Sequence, residues 1–189
     1  MSGMNALHSQ EEVSEFEELL NKVSSGTLYS DMFKIGVNLS LRLSDLLGLR
    51  YEDVLGKDEL RLKVGKTKRD LVLPVSPIVR KIVEDRYSRF PDREFICESD
   101  KKRYAGKPVS SSIVQRNFKK VNDLINKPDM KYNTHTMRKS KAALLYAKGV
   151  SVETISKMLD HNDTKVTLRY IDVLNKDVKD AMLGCEFEF

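Results

Sequence analysis

Leu60-Arg61-Leu62-Lys63-Val64-Gly65-Lys66-Thr67-Lys68-Arg69-Asp70-Leu71-Val72-Leu73-Pro74-Val75 separates an α+β reading of this chain from an all-helical one. Leu60, Leu62 and Val64 alternate with polar neighbours, and Leu71, Leu73 and Val75 do the same, which gives each of two strands one apolar face. Gly65 to Arg69 lie between them, so the segment reads as a β-hairpin with a basic tip. On both sides the apolar period is helical. Upstream, Val13, Phe16, Leu19 and Leu20, extended by Val23, mark a helix over 10–24 that Ser24-Ser25-Gly26 breaks. Helical periodicity returns from Thr27 to Leu39, and a short helix follows over Leu43 to Leu49. Downstream, Pro77 is placed for the first turn of a helix reaching Arg89, and Phe95-Ile96-Cys97 is expected as a third short strand. Helices are then expected over 109–126, 134–148 and 151–160, with a last one after Lys176. The expected class is therefore α+β, a mainly helical domain with a small three-stranded antiparallel sheet.

Composition narrows the function classes. The chain has 189 residues, 40% hydrophobic and 32% charged, which suits one globular domain that needs no staple to fold. Two cysteines, Cys97 and Cys185, exclude a disulfide scaffold and fit a reducing compartment. No apolar run approaches the ~20 residues of a membrane helix, and MSGMNALHSQEE has neither the basic start nor the apolar core of a signal peptide. There is no P-loop, no HExxH and no paired CxxC, so nothing announces a nucleotide hydrolase or a zinc site. The net charge is +5, unevenly spread: residues 25–189 hold 32 bases and 23 acids, or +9, after an acidic opening of five glutamates and Lys22. A basic body suits a polyanionic partner, or is simply a solvated surface.

Four places collect chemistry. His135 and Arg138 stand i and i+3 at the start of a helix, where imidazole and guanidinium face one way and can form an anion site; a structural pair is the plain alternative. His161 is followed nine residues later by Tyr170, one of seven tyrosines that could equally be packing residues. Arg42 lies at a bend between two helices among apolar residues, where a buried guanidinium needs an anion. Asp45 is the plain partner and a phosphate the functional one. Lys66 falls at the hairpin tip, 24 residues after Arg42, where a lysine is ordinarily just solvated.

Taken together, Arg42, Lys66, His135-x-x-Arg138, His161 and Tyr170 in this order and spacing resemble the signature of the tyrosine recombinases, or phage integrase family. Leu41 to Leu49 resembles the family's first-arginine segment, and Lys66-Thr67-Lys68 before Leu71-Val72-Leu73-Pro74 resembles its lysine hairpin. Gly149-Val150-Ser151 through Leu159 and His161 to Thr167 and Tyr170 resembles its C-terminal box. The likeness covers about 27–175. Three positions depart from the family's habit: Asp160 and Ser40 stand where glycine is usual, and Lys139 where histidine is common.

The resemblance implies transesterification of a DNA phosphodiester without metal or cofactor. Tyr170 would be the nucleophile, Arg42 and Arg138 the clamps on non-bridging oxygens, His135 the base or proton relay, His161 a donor to a phosphate oxygen and Lys66 the general acid. Lys63, Lys68, Arg69, Lys101, Lys102, Arg103, Lys107 and Lys139 are expected to hold flanking phosphates. Double-stranded DNA bearing a recombination site and a homotetramer on it are the implied partners, in a bacterial, archaeal or phage-infected cytoplasm and away from membranes. The expected division is an extension with one helix over 1–25, the catalytic domain over 26–175, and a C-terminal helix and tail over 176–189. Phe187 and Phe189 in that tail alternate with acids and call for a surface, on a neighbouring subunit or on the same domain. Only one helix precedes the match, as in a small recombinase or an excised catalytic domain. Two rivals stay open: a non-catalytic helix-turn-helix regulator built on 149–159, which leaves Arg42 and Lys66 unexplained, and supercoil relaxation of the type IB topoisomerase kind.

Overall fold

The computed structural model describes residues 5–63, 70–161 and 163–170, with side chains up to Leu168. Lys66, Lys68, Arg69 and everything expected after Lys176 lie outside the described residues. The described elements run α1 (Gln10–Val23), α2 (Leu28–Leu39), α3 (Leu43–Leu47), a 3-10 turn (Tyr51–Asp53), β1 (Glu59–Lys63), β2 (Asp70–Pro74), α4 (Pro77–Arg89), a second 3-10 turn (Lys102–Tyr104), α5 (Ser111–Ile125), α6 (Thr134–Ala147), α7 (Val152–Met158) and α8 (Thr164–Tyr170).

Local chemistry sets the helix ends. Ser9, Ser76 and Ser151 each accept a backbone N–H from the residue three positions on, at 3.2, 3.4 and 3.3 Å, and so cap α1, α4 and α7. Asn133 caps α6 reciprocally: its side chain accepts the His135 N–H at 2.8 Å, while the Thr136 hydroxyl accepts the Asn133 N–H at 3.0 Å. That cap fixes the turn from which His135 and Arg138 emerge. β1 and β2 pair antiparallel with Leu60 opposite Leu73 and Leu62 opposite Leu71, so the alternating leucines share one face, as their period requires.

One aromatic knot ties α1, α2 and α5 together. The Phe16 ring lies 5.0 Å from Phe33 and 5.2 Å from Phe118 between centroids, and Tyr132 closes on Phe16 at 5.6 Å. Residue 36 is glycine because α2 and α6 meet there: a Cβ would stand 2.4 Å from the Met137 sulfur. This close crossing holds the Arg42 end of α2 against the Arg138 face of α6. A smaller cluster of Ala142, Ile155 and Leu159 packs α7 onto α6 and carries the chain into His161.

The third strand does not form, and the sheet has two strands among the described residues. Phe95 makes a single bridge to Arg50, and the Ile96 N–H reaches the Leu49 carbonyl at 2.9 Å. Side chains occupy the groups a strand would offer. The buried Glu98 carboxylate accepts the Glu94 and Phe95 N–H groups, each at 3.0 Å, and the Gly106 N–H at 2.7 Å. Arg86, itself buried, donates to the Ile96 carbonyl at 3.1 Å and the Glu98 carbonyl at 3.4 Å, with Asp31 and Asp100 balancing its charge at 3.2 and 3.0 Å. The short helix α8, absent from the expected pattern, is a further difference. Asp163 starts it by accepting the Lys165 N–H at 2.8 Å.

Candidate active site

The polypeptide brings three separated segments to one place: Ser40 to Arg42 between α2 and α3, the first turn of α6, and Leu159 to His161 between α7 and α8. Arg42 is the N-cap residue of α3, with its guanidinium 25% exposed. It pairs not with Asp45 but with Asp160: Nη1 stands 3.5 Å from the carboxylate Oδ2 and Nη2 donates to the Asp160 carbonyl at 3.3 Å. Arg138 is buried at 3% exposure. Its Nη1 donates to the Ser40 carbonyl at 2.6 Å and its Nη2 to the Leu159 carbonyl. The arrangement is a cross-brace: the residue two before Arg42 anchors Arg138, and the residue just before His161 anchors Arg42.

Both Ser40 and Asp160 adopt left-handed backbone, with φ of 53° and 48°. That region is costly for residues other than glycine, and aspartate is among the side chains that tolerate it best. The two departures from the family's glycines thus fall where the backbone itself would favour glycine.

His161 lies beside the brace. Its Nδ1 is 2.8 Å from the hydroxyl of Thr167, a buried residue on α8. Burial pushes its pKa down from 6.5 to about 4, with the Arg138 and Arg42 charges acting the same way and Asp160 opposing them. His135 is also lowered, first by loss of water around the ring and then by Arg138, Arg42 and Lys139. Its surface is exposed, so the three cations are the firmer cause. Both imidazoles are therefore neutral at pH 7 in the free protein, each with one N–H. The neutral His161 ring either accepts the Thr167 hydroxyl proton at Nδ1, with its own N–H on Nε2 available to donate, or donates from Nδ1 to that hydroxyl. Two guanidiniums and two neutral imidazoles converge as cationic and donor groups suited to a tetrahedral oxyanion.

The remaining expected residues are placed less centrally. Tyr170 is the final residue of α8, the helix that follows directly on His161. Lys63 is exposed at the end of β1, opposite Asp70. Lys139 is 6% exposed and sits beside His135, where its charge lowers the imidazole's pKa. Lys101, Lys102, Arg103 and Lys107 are exposed on the loop that Glu98 fastens, with the Arg103 guanidinium 4.8 Å above the Tyr104 ring. This loop borders a groove of about 760 Å³ with Gly26, Leu28 and Tyr29, at the opposite end of α2 from Arg42. A twelve-residue helix is roughly 18 Å long, so the loop belongs to the surroundings of the site and not to its reacting centre. Cys97 is buried and its thiol is pushed up to about 12, which leaves it unreactive. Among the described residues no cluster of three metal-ligating side chains occurs, and no helix is long and apolar enough to cross a membrane.

Sequence reasoning missed Asp160 as the partner of Arg42, the Ser40 carbonyl as the seat of Arg138, and Thr167 as the partner of His161. The two unusual replacements of glycine were the available signal for the first two.

Known proteins share this fold. A model of the phage integrase family matches residues 8–177. The chain is 26% identical over 168 residues to the probable integrase/recombinase YoeC of Bacillus subtilis (strain 168), with 88% of each chain covered. It is 30% identical over 135 residues to tyrosine recombinase XerC of Mesorhizobium japonicum, covering 70% of this chain and 43% of that one. Among solved structures, XerH recombinase in a post-cleavage complex with its palindromic difH substrate superposes with a TM-score of 0.73 at 17% identity, over 94% of this chain and 51% of that one. The Tn1549 transposon integrase in complex with a circular intermediate DNA gives a TM-score of 0.74 at 15% identity, over 97% and 66%. The chain thus spans nearly all of YoeC but about half the length of several other relatives. On the matched residues and the shared fold, the chain belongs to the phage integrase family.

Proposed function

We propose that the chain is the catalytic unit of a site-specific DNA recombinase that cuts and rejoins strands through a 3′-phosphotyrosyl intermediate. The carrying observation is the cross-brace, which joins Arg42 to Asp160, 118 residues on, and Arg138 to Ser40, 98 residues back, beside His161. In this reading the Tyr170 hydroxyl oxygen forms a bond to phosphorus as the bond to the 5′-oxygen breaks. His135 relays the tyrosine proton, and Lys66 protonates the leaving oxygen. Arg42 and Arg138 stabilise the charge on the non-bridging oxygens, and His161 donates from Nε2 to one of them. The bond energy stays in the phosphotyrosyl link, and a 5′-hydroxyl of another strand reverses the step. No cofactor is required. Lys63 and the Lys101–Lys107 loop would hold neighbouring phosphates, and a tetramer on two DNA sites would exchange the strands.

The test is a nicked suicide duplex carrying the native site, read by denaturing gel. The native chain should trap a covalent protein–DNA adduct. Tyr170→Phe should bind the duplex normally and form none, and an adduct surviving that change would overturn the assignment.

A further inference from the structure

We propose that the Asp160 carboxylate is a built-in stand-in for the substrate phosphate at Arg42, an internal competitor that the incoming phosphate must displace. The inference rests on the reading that Arg42 grips a phosphate. Three features carry it. First, Arg42 makes two different contacts to one residue. The backbone carbonyl of Asp160 fixes the direction of the guanidinium, whereas the carboxylate faces Nη1, a position that a phosphate oxygen can also take. Second, the charged contact is loose: 3.5 Å exceeds the 2.7–2.9 Å of a well-made charge-assisted hydrogen bond. Third, the backbone that carries the carboxylate is held in place and cannot shift toward a displaced arginine. It is pinned by the Asp160 N–H on the Lys157 carbonyl and by the His161 N–H on the Ser156 carbonyl, both at 3.0 Å.

The carboxylate is nearly buried, at 7% exposure of its side chain, while the arginine is one-quarter open to solvent. A phosphate can therefore approach Arg42 from the open side and draw Nη1 away while Nη2 keeps its carbonyl. Until then the site holds one negative charge of its own, and a ligand binds in proportion to the fraction of molecules in which Arg42 is released. The usual glycine at this position would keep the carbonyl and the left-handed backbone and lack the competitor. Asp160 is thus a positioning residue that tunes access to the phosphate seat.

The probe is inorganic tungstate, a tetrahedral oxyanion, titrated into the full chain by calorimetry. Asp160→Asn and Asp160→Gly should each tighten its Kd by about five-fold, the upper worth of one partly solvated ion pair removed from competition. A merely structural role predicts the opposite, a loss of affinity. Asp163→Asn makes the same change in net charge on an exposed residue and should leave the Kd within about two-fold. Arg42→Ala in the Asp160→Asn background should abolish the gain. Thermal melts confirm that each variant is folded. The proposal is overturned if Asp160→Asn binds tungstate no more tightly than the native chain or not at all, if only the glycine variant gains, or if Asp163→Asn gains equally. Strand transfer is read separately by the Tyr170 adduct. An adduct without the tungstate gain sinks the competitor alone, and a tungstate gain without an adduct sinks the recombinase reading alone.

Discussion

Replacing Thr167 with valine tests whether the neutral His161 is held in one tautomer by its neighbour. Valine keeps the shape of a fully buried side chain and removes only the hydroxyl that stands 2.8 Å from Nδ1. Two limits bracket the effect on strand cleavage. If the hydroxyl only biases the tautomer, losing one hydrogen bond of roughly 1 kcal/mol lets the wrong form reach about half the population, a two-fold loss. If the ring also turns away from the phosphate, the loss approaches the roughly 10²–10³-fold worth of one oxyanion donor. A half-buried ring with a second neighbour in Asp160 falls between, and about ten-fold is expected in single-turnover adduct formation on the nicked duplex. DNA binding measured in parallel should change little. The melting free energy should fall by about 1 kcal/mol, because a part-buried hydrogen bond is lost. Thr167→Ser keeps the hydroxyl and should recover most of the rate. The reasoning fails if the valine variant cleaves at the native rate. It fails equally if serine is as slow as valine, for then the methyl group and not the hydrogen bond matters.

Two further outcomes follow from the same site. Folded His161 takes its proton near pH 4 and the unfolded chain near 6.5, so the unfolded state holds more protons across that window, and stability should fall as pH drops through it. After discounting for solvent the share is roughly 1–2 kcal/mol, read as a shallower acid limb in denaturant titrations of His161→Gln; identical limbs would refute it. Ser40→Gly should raise stability by roughly 1–2 kcal/mol, since it relieves a left-handed residue and removes a buried hydroxyl without a hydrogen-bond partner; thermal denaturation would show the reverse if Ser40 Oγ carries a needed contact.

Much of this was legible because local pattern carries it. The leucine alternation in 60–75 gave the hairpin its face, and Pro77 to Arg89 forms a helix with the expected bounds. The family was legible through the order of Arg42, Lys66, His135, Arg138, His161 and Tyr170 along the chain, which needs no knowledge of contacts. What escaped was non-local. Arg42 and Asp160 are 118 residues apart, and nothing near Arg42 hints that Asp45 will lose to a carboxylate from another helix junction. Phe95-Ile96-Cys97 has strand-like residues, but Glu98 and Arg86 take its polar groups, and both act through side chains that a propensity argument leaves out. Helix α8 has seven residues, too few to establish a period.

The site faces a conflict that its construction answers in two currencies. A seat for phosphate must keep cationic groups together, and folding opposes gathering like charges in a partly buried place. Geometry is met by neutral partners: the carbonyls of Ser40, Leu159 and Asp160 hold the two guanidiniums without consuming their charge. Charge is met by other means. Asp160 offsets one arginine, and burial together with the field of both arginines keeps the two imidazoles neutral. A phosphate arriving at Arg42 reverses each of these adjustments together, because its negative charge replaces the carboxylate and favours the protonated imidazole. Binding should therefore raise the proton affinity of the histidines in the same step that frees Arg42, so that the proton His135 takes up can be the one the tyrosine loses. In the proposed reaction, a base that must accept the tyrosine proton is best served by a ring that is neutral before the substrate is seated, and burial and the surrounding cations hold His135 in that state in the free protein.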